Sequence, residues 1–255
     1  MSNTARLRKF VVSSGPAPRR EVWVYAPEKP GNRPLGLVLI APAGGNFISA
    51  PGLGDSDKPE HLPYVEAGFA VVSYSIDGVV ADDANDADFM AGARAYQASR
   101  GGIDNAVAAL SLALEVLPSI NREKIYAAGH SSSGSLALLV AAHDERIRGV
   151  VAYAPAPDLR AFVGANAEKL RRYLPDLPSF LSSISPIEHA SELRVPIFLF
   201  HARDDGVISV QETAAYVKAL RDAGAKLEFV ETETGGHRNS MISRGIPGAV
   251  RWMSK

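Results

Sequence analysis

The sequence predicts an α/β fold with a mostly parallel, twisted sheet flanked by helices and with antiparallel strands at its N-terminal edge. Two observations carry this prediction: short runs of Val, Ile, Leu and Phe recur along the 255 residues, and stretches with helical spacing separate the later runs. Strands that alternate with helices form βαβ units, and such units place neighbouring strands in parallel.

Eight apolar segments are predicted strands. The first two alternate in polarity and have polar flanks, which is typical of an exposed antiparallel edge. The later ones are mostly uninterrupted apolar blocks, as expected for strands that are covered on both faces. The segments are Phe10–Val12, Val22–Tyr25, Leu37–Ile40, Phe69–Tyr74, Ile125–Ala128, Val150–Tyr153, Ile197–Phe200 and Leu227–Val230.

Helical patterns lie between the later strands. In the clearest one, apolar side chains recur with a period of 3.6 residues and would form one face of an amphipathic helix. The predicted helices are Asp104–Leu117, Ser135–Ala142, Gln211–Ala223 and Ser240–Met253.

Two stretches depart from this alternation. The acidic run Asp82–Asp88 lacks the residue pattern of a calcium loop and is interpreted as a solvated loop. The connection from 156 to 196 is long for a compact α/β domain and is expected to form a lid or binding segment with helices of its own. We therefore expect a single domain over residues 1–255 with a lid or insert at about 156–196.

Composition and charge exclude several classes of function. Lys plus Arg is 27 and Asp plus Glu is 28, so no excess of positive charge is available to bind a nucleic acid backbone. Cys is absent, which excludes disulfides, thiolate metal sites and a cysteine nucleophile. No two of the six histidines lie within ten positions of each other, so no metal site is predicted.

No signal peptide and no apolar run of membrane-spanning length is found, and a cytoplasmic location is expected. The sequence is compatible with a homo-oligomer.

The segment from 129 to 137 is the most informative one. A predicted strand runs into a turn of small residues and a helix follows, which is a geometry that raises one side chain above the edge of a sheet. A serine there can attack a carbonyl carbon while N–H groups at the helix start face the developing oxyanion. Small residues are needed two positions on either side, which favours Ser131 over Ser132, because Ser132 has the bulky His130 two positions before it. Ser133 then takes a position that is usually glycine.

A serine needs a base held beside it to be a nucleophile at neutral pH. His237 is the predicted base, because it follows the last predicted strand in a glycine-containing loop. Asp204 and Asp205 both follow the strand Ile197–Phe200, and both qualify by position as the carboxylate that orients the base. The other histidines are interpreted as structural or surface residues, and His130 is expected to point away from the site.

These residues resemble the motifs of the α/β hydrolases, and above all those of the small prolyl-oligopeptidase-like and dienelactone-hydrolase-like members. Residues 129–137 correspond to the pattern G-x-S-x-G-G-x-L-A, with Ser133 in place of the first glycine after the serine. Residues 201–208 correspond to H-G-x-x-D-x-x-V, and this register selects Asp205. The order Ser131, Asp205, His237 along the chain is also the order in this fold.

The resemblance also implies an oxyanion hole. The loop Ala41–Asn46 corresponds to the family pattern H-G-x-G-G-N, although the His-Gly pair is missing. By resemblance, the main-chain N–H groups of Ala43 and Ser132 would form the hole.

The expected activity is that of a serine hydrolase that cleaves a small-molecule carboxylic ester through an acyl-enzyme, without a cofactor. Ser131 would attack, His237 would transfer the proton and Asp205 would orient the imidazole. Because histidine has a reference pKa of about 6.5, activity is expected to rise through the range of about pH 6 to 8. The alternatives are an amidase or peptidase, an acyltransferase with the same triad, and a catalytically silent binding protein.

Overall fold

The computed structural model describes residues 5–12, 20–29 and 33–255. Residues 1–4, 13–19 and 30–32 of the predicted domain lie outside the described residues. Within the described ranges, eight strands form one sheet in the order β1-β2-β4-β3-β5-β6-β7-β8. The strands are β1 (Ala5–Val12), β2 (Arg20–Pro27), β3 (Leu35–Ile40), β4 (Ala70–Tyr74), β5 (Ile120–His130), β6 (Gly149–Tyr153), β7 (Ile197–Ala202) and β8 (Leu227–Thr232).

The strand directions confirm the predicted fold class. β1 pairs with β2 and β2 pairs with β4 in antiparallel fashion, whereas every pair from β4 through β3 to β8 is parallel. Among the described strands, β1 forms the edge at this end, and Val22, Trp23, Val24 and Tyr25 of β2 are each at most 4% exposed. The sequence predicts that both strands are exposed. This prediction is correct for β1 and wrong for β2, because β2 is paired with β1 on one side and with β4 on the other.

Both faces of the sheet are covered, which explains why the central strands are continuously apolar. In β3, Leu37 and Leu39 belong to one core cluster while Val38 and Ile40 belong to a second. Successive side chains of a strand point to opposite faces, so a strand buried on both faces needs apolar residues at every position.

Helices connect the parallel strands. Within the described residues they are α1 (Lys58–Glu66), α2 (Asp86–Ala98), α3 (Ile103–Val116), α4 (Ser132–His143), α5 (Leu159–Val163), α6 (Ala167–Leu170), α7 (Leu177–Ser183), α8 (Val210–Asp222), α9 (Gly236–Ser240) and α10 (Ile246–Met253). Side chains of α1 and α10 belong to the core on one face, and those of α3, α4 and α8 belong to the core on the other.

The interpretation of Asp82–Asp88 as a loop is wrong for its second half, where α2 begins. Asn85 caps this helix: its side-chain oxygen accepts hydrogen bonds from the N–H groups of Ala87 and Asp88, at 2.8 and 3.1 Å. The carboxylate of Asp88 in turn accepts from the N–H of Asn85. Acidic residues are favourable in the first turn of a helix, so this run of charge marks a helix start.

The segment from 156 to 196 has helices of its own, as the sequence predicts. Its apolar side chains join the core: Leu174, Leu177, Phe180 and Leu181 are each at most 5% exposed. The ring of Phe180 lies edge-on to Tyr96 of α2, with ring centroids 5.9 Å apart. Movement of this segment as a lid stays a prediction.

None of the helices in the described part of the chain has the length and apolar character needed to span a membrane.

Candidate active site

Ser131 occupies the turn between β5 and α4. Its backbone has φ 56° and ψ −122°, a conformation that is costly for a residue with a side chain and that is common at functional turns. The Ser131 N–H donates to the carbonyl of Tyr153 at the end of β6, 2.9 Å away, which holds the turn to the neighbouring strand. The hydroxyl of Ser131 therefore lies at the carboxyl edge of the sheet.

The residues around the turn are packed as the predicted elbow requires. A Cβ on Gly129 would lie 2.1 Å from the carbonyl oxygen of Ser133, so only glycine fits there. Ser133 replaces the usual glycine without loss, because its Oγ accepts from the N–H of His130 and donates to the carbonyl of His130, both at 2.9 Å. Through these two hydrogen bonds, the Ser133 side chain stabilises the turn.

Asp205 and His237 are in direct contact. Nδ1 of His237 donates to Oδ2 of Asp205 at 2.7 Å, and the Asp205 side chain has no exposed surface. The other carboxylate oxygen accepts from the N–H groups of Val207 and Ile208, at 2.8 and 3.0 Å. Burial acts to raise the pKa of Asp205, but the hydrogen bonds from His201, His237 and these two N–H groups outweigh it and hold the pKa well below its usual range.

A second imidazole orients the same carboxylate. His201, fully buried at the end of β7, directs Nε2 to Oδ2 of Asp205 at 3.0 Å and has Nδ1 2.8 Å from the hydroxyl of Thr213. The sequence predicts a structural or surface role for His201, and its complete burial shows that the role is structural. His201 thus holds the Asp205 carboxylate in place, and Oδ2 of this carboxylate also accepts from His237.

Asp204 has a different position. Its two carboxylate oxygens accept from the N–H groups of Gly235 and Gly236, at 3.0 and 2.8 Å, and these hydrogen bonds lower its pKa. The two glycines directly precede His237. Adjacent carboxylates therefore hold the imidazole and the start of the loop that carries it.

Ser131 and His237 line the same cleft, which has a volume of about 570 Å³. Its lining residues are Ala43, Gly44, Ser56, Asp57, Glu60, His130, Ser131, His237 and Arg238. Between the described side chains of Ser131 and His237 there is no hydrogen bond. Hydrogen bonds between a nucleophile and its base often form at full strength only with substrate bound.

The expectation that His130 points away from the site is wrong. Its side chain lines the cleft, and Nε2 donates to the main-chain carbonyl of His237 at 3.0 Å. Its Nδ1 lies 3.6 Å from the carboxylate of Glu60, which also accepts from Nε of Arg238 at 3.3 Å. Burial acts to raise the pKa of Glu60, but His130 and Arg238 outweigh it and lower that pKa. No spacing in the sequence connects Glu60 or Arg238 with Ser131, so the sequence analysis does not identify these two residues.

The predicted oxyanion loop lies against the serine turn. The Ser132 hydroxyl donates to the carbonyl of Gly44 at 2.5 Å and accepts from the N–H of Gly44 at 3.0 Å. Ala43 and Gly44 both line the cleft beside Ser131. The Ser132 side chain thus fastens the loop after β3 to the start of α4.

The strand order and the strand–turn–helix arrangement at Ser131 define the class of protein: the fold is that of the α/β hydrolases. A model of the prolyl oligopeptidase family matches residues 62–249, which is more than half of the chain. The chain belongs to this family of serine hydrolases.

Solved structures of similar fold include the Pyrococcus horikoshii acylaminoacyl peptidase, with 16% identity, a TM-score of 0.74 and coverage of 98% of this chain and 40% of that one. Dipeptidyl peptidase 4 of Porphyromonas gingivalis has 16% identity, a TM-score of 0.74 and coverage of 100% and 36%. A puromycin-hydrolyzing peptidase of Mycobacterium tuberculosis has 17% identity, a TM-score of 0.72 and coverage of 99% and 39%.

At these identities the likeness concerns the fold, and the chain spans about two fifths of the length of these relatives. No curated protein matches the chain.

Proposed function

We propose that the protein is a serine hydrolase that cleaves peptide or related amide bonds through an acyl-enzyme. The single observation that carries the proposal is the 2.7 Å contact between Asp205 and His237, which directs this imidazole into the cleft that Ser131 also lines. The family match supports the amide substrate. The carboxylic-ester preference predicted from the sequence has less support than its alternative, the amidase or peptidase.

In the proposed reaction, Nε2 of His237 takes the proton of the Ser131 hydroxyl as its oxygen bonds to the acyl carbon. His237 then gives that proton to the leaving amine when the C–N bond breaks. Asp205 keeps the proton of the neutral imidazole on Nδ1 and stabilises the imidazolium. Water then attacks the acyl carbon while His237 takes its proton. His237 returns this proton to the oxygen of Ser131 as the ester C–O bond breaks, and the acid leaves.

The proposed oxyanion hole consists of the N–H groups of Ala43 and Ser132. Ala43 and Gly44 are the cleft-lining residues of the loop after β3, and the N–H of Gly44 already donates to Ser132 Oγ. Ala43 is therefore the better donor of the two. Donors of this kind act on charge that develops in the transition state, and the loss of one costs about 100- to 1,000-fold in kcat.

A fluorophosphonate probe followed by peptide mass spectrometry tests the nucleophile. We expect the label on Ser131 in the wild type, no label in Ser131→Ala, and retained labelling of Ser131 in the matched variant Ser132→Ala. A label on Ser132 would show that the register is wrong. A folded wild-type protein that never reacts would favour the catalytically silent binding protein.

Peptide p-nitroanilides compared with p-nitrophenyl esters of graded acyl length test the substrate class. We expect Ser131-dependent hydrolysis of the anilides. Activity confined to the esters would contradict the amide proposal and restore the ester prediction. Product partition with an added amine or alcohol acceptor separates a hydrolase from an acyltransferase, since a hydrolase releases the free acid.

A further inference from the structure

Two histidines and a glutamate converge at the end of α4 that is remote from Ser131. One ligand atom each from His143, His189 and Glu192 lies within 4.8 Å of the others. His143 is the last residue of α4, whereas His189 and Glu192 lie between α7 and β7. The fold brings together residues that are far apart in sequence, so a rule based on histidine spacing could not detect them.

The hydrogen bonds of His143 leave one ring nitrogen available. Its Nδ1 lies 2.9 Å from the carbonyl oxygen of Leu139. A carbonyl oxygen only accepts, so Nδ1 carries the proton and Nε2 of the neutral ring presents its lone pair. Metal-binding histidines commonly donate their second N–H to a main-chain carbonyl in this way, because the bond fixes the tautomer and the ring orientation.

His189 also donates one ring N–H to a main-chain carbonyl. Its Nε2 lies 2.9 Å from the carbonyl oxygen of Ser183, so Nε2 carries a proton. Its Nδ1 lies 2.9 Å from a carboxylate oxygen of Glu192. With Nε2 as the donor, Nδ1 of the neutral ring and the carboxylate are both acceptors and repel each other. A positive centre between them, either a proton or a metal ion, removes that repulsion.

We propose that His143, His189 and Glu192 bind a divalent transition metal of the Zn²⁺ class, with water as the fourth ligand. Imidazole nitrogens favour Zn²⁺, Cu²⁺ and Ni²⁺, whereas Mg²⁺ and Ca²⁺ favour sites composed of oxygen ligands. Metal–ligand bonds of about 2.0–2.2 Å require ligand atoms about 3.3 Å apart in a tetrahedral site. His189 Nδ1 and the Glu192 oxygen, 2.9 Å apart, would have to separate slightly, and ligand atoms up to 4.8 Å apart would have to approach. The side chains of His143 and Glu192 are exposed and can make these small movements.

The ion would connect two parts of the fold and take no part in the hydrolysis. α4 has 12 residues and therefore spans about 18 Å, with Ser131 directly before its first residue and His143 at its other end. The metal would fasten the end of α4 to the segment that enters β7, and β7 leads to Asp205. The inference is independent of the proposed function.

Isothermal titration of metal-free, tag-free protein with ZnCl₂ tests the site, with MgCl₂ and CaCl₂ in parallel. We expect one Zn²⁺ per chain and no binding of Mg²⁺ or Ca²⁺. Affinity should fall at least 100-fold in His143→Gln and in Glu192→Gln, and change less than twofold in the control Glu145→Gln. Saturation should raise the melting temperature by about 5 °C in the wild type and the control only.

The variants change exposed side chains, and their melting temperatures without metal verify that they are folded. Hydrogen exchange provides a second measurement: Zn²⁺ should protect the amides from 183 to 192 in the wild type alone. Absence of Zn²⁺ binding to the wild type would overturn the proposal, and the contact between His189 and Glu192 would then be a hydrogen bond alone. Equal affinity in wild type and variants, or equal binding of Ca²⁺, would also overturn it.

Discussion

The imidazole of His130 donates from Nε2 to the main-chain carbonyl of His237, 3.0 Å away, and the two ring centroids are 4.5 Å apart. His130 precedes Ser131 in the chain, so the strand that carries the proposed nucleophile also anchors the backbone of the proposed base. The donor residue is buried, since His130 is 4% exposed, and the hydrogen bond is partly buried. Misplacement of a catalytic group by about 1 Å can cost about 100-fold in rate.

Loss of this anchor should lower the rate without loss of the nucleophile. In His130→Leu we expect kcat for a peptide anilide to fall about 10- to 100-fold, while KM changes little. In His130→Gln, whose amide N–H reaches a similar position, kcat should recover in part. Steady-state kinetics and fluorophosphonate labelling measure both effects. If His130→Leu kept the full kcat, His130 would have no positioning role.

The adjacent carboxylates Asp204 and Asp205 should differ strongly in their effect on the rate. Asp205→Asn removes the acceptor that selects the tautomer of His237, and we expect kcat to fall about 10⁴-fold. Asp204→Asn keeps one acceptor for the N–H groups of Gly235 and Gly236, and kcat should fall less than tenfold. Anilide kinetics at pH 8, with melting curves to verify folding, compare the two. The opposite order would assign the orienting role to Asp204.

The turn at Ser131 should not tolerate a side chain at Gly129. A Cβ there would meet the backbone oxygen of Ser133 at 2.1 Å, and backbone cannot yield as a flexible side chain would. We expect Gly129→Ala to lower the free energy of unfolding by about 3 kcal/mol and to abolish labelling of Ser131. The control is Gly206→Ala, because a Cβ on Gly206 meets no atom within 4 Å. Urea denaturation of both variants measures the difference, and equal stability would refute this account of the turn.

Burial of His61 should make the protein less stable in mild acid. His61 is 1% exposed, and burial lowers its pKa to about 4, although Glu60 acts in the opposite direction. The unfolded chain binds this proton near its reference pKa of about 6.5 and the folded protein only near 4, so stability falls as the pH falls between these values. This residue should contribute a loss of about 2 to 3 kcal/mol in the free energy of unfolding between pH 7.5 and pH 4.5.

Urea denaturation at the two pH values, compared between wild type and His61→Gln, isolates this contribution. The variant should lose less stability on acidification by about that amount, whatever its stability at pH 7.5. The exposed His143→Gln serves as a control and should follow the wild type. Parallel pH dependence of wild type and His61→Gln would contradict the prediction.

Much of the fold could be predicted because its signals are local. A strand with both faces covered needs an apolar residue at each position, so β3 and β6 are visible as short apolar runs. α1 and α2 were missed for local reasons as well. Two prolines lie in α1, and the acidic start of α2 has the composition of a loop. In α2 the cap formed by Asn85 decides the structure, and composition alone does not reveal it.

The sequence by itself determined the α/β architecture, the serine turn, the candidate His237, and either Asp204 or Asp205 as its partner, between which the family resemblance selected Asp205. Each of these predictions depends on neighbouring residues or on the order of strands along the chain. Only the tertiary structure decided that His130 reaches His237, that Glu60 and Arg238 lie in the same cleft, and that His143 meets His189. Such contacts depend on how distant segments pack at the ends of the strands and helices. No local period or spacing in the sequence predicts this packing, because it depends on interactions between residues that are far apart in the chain.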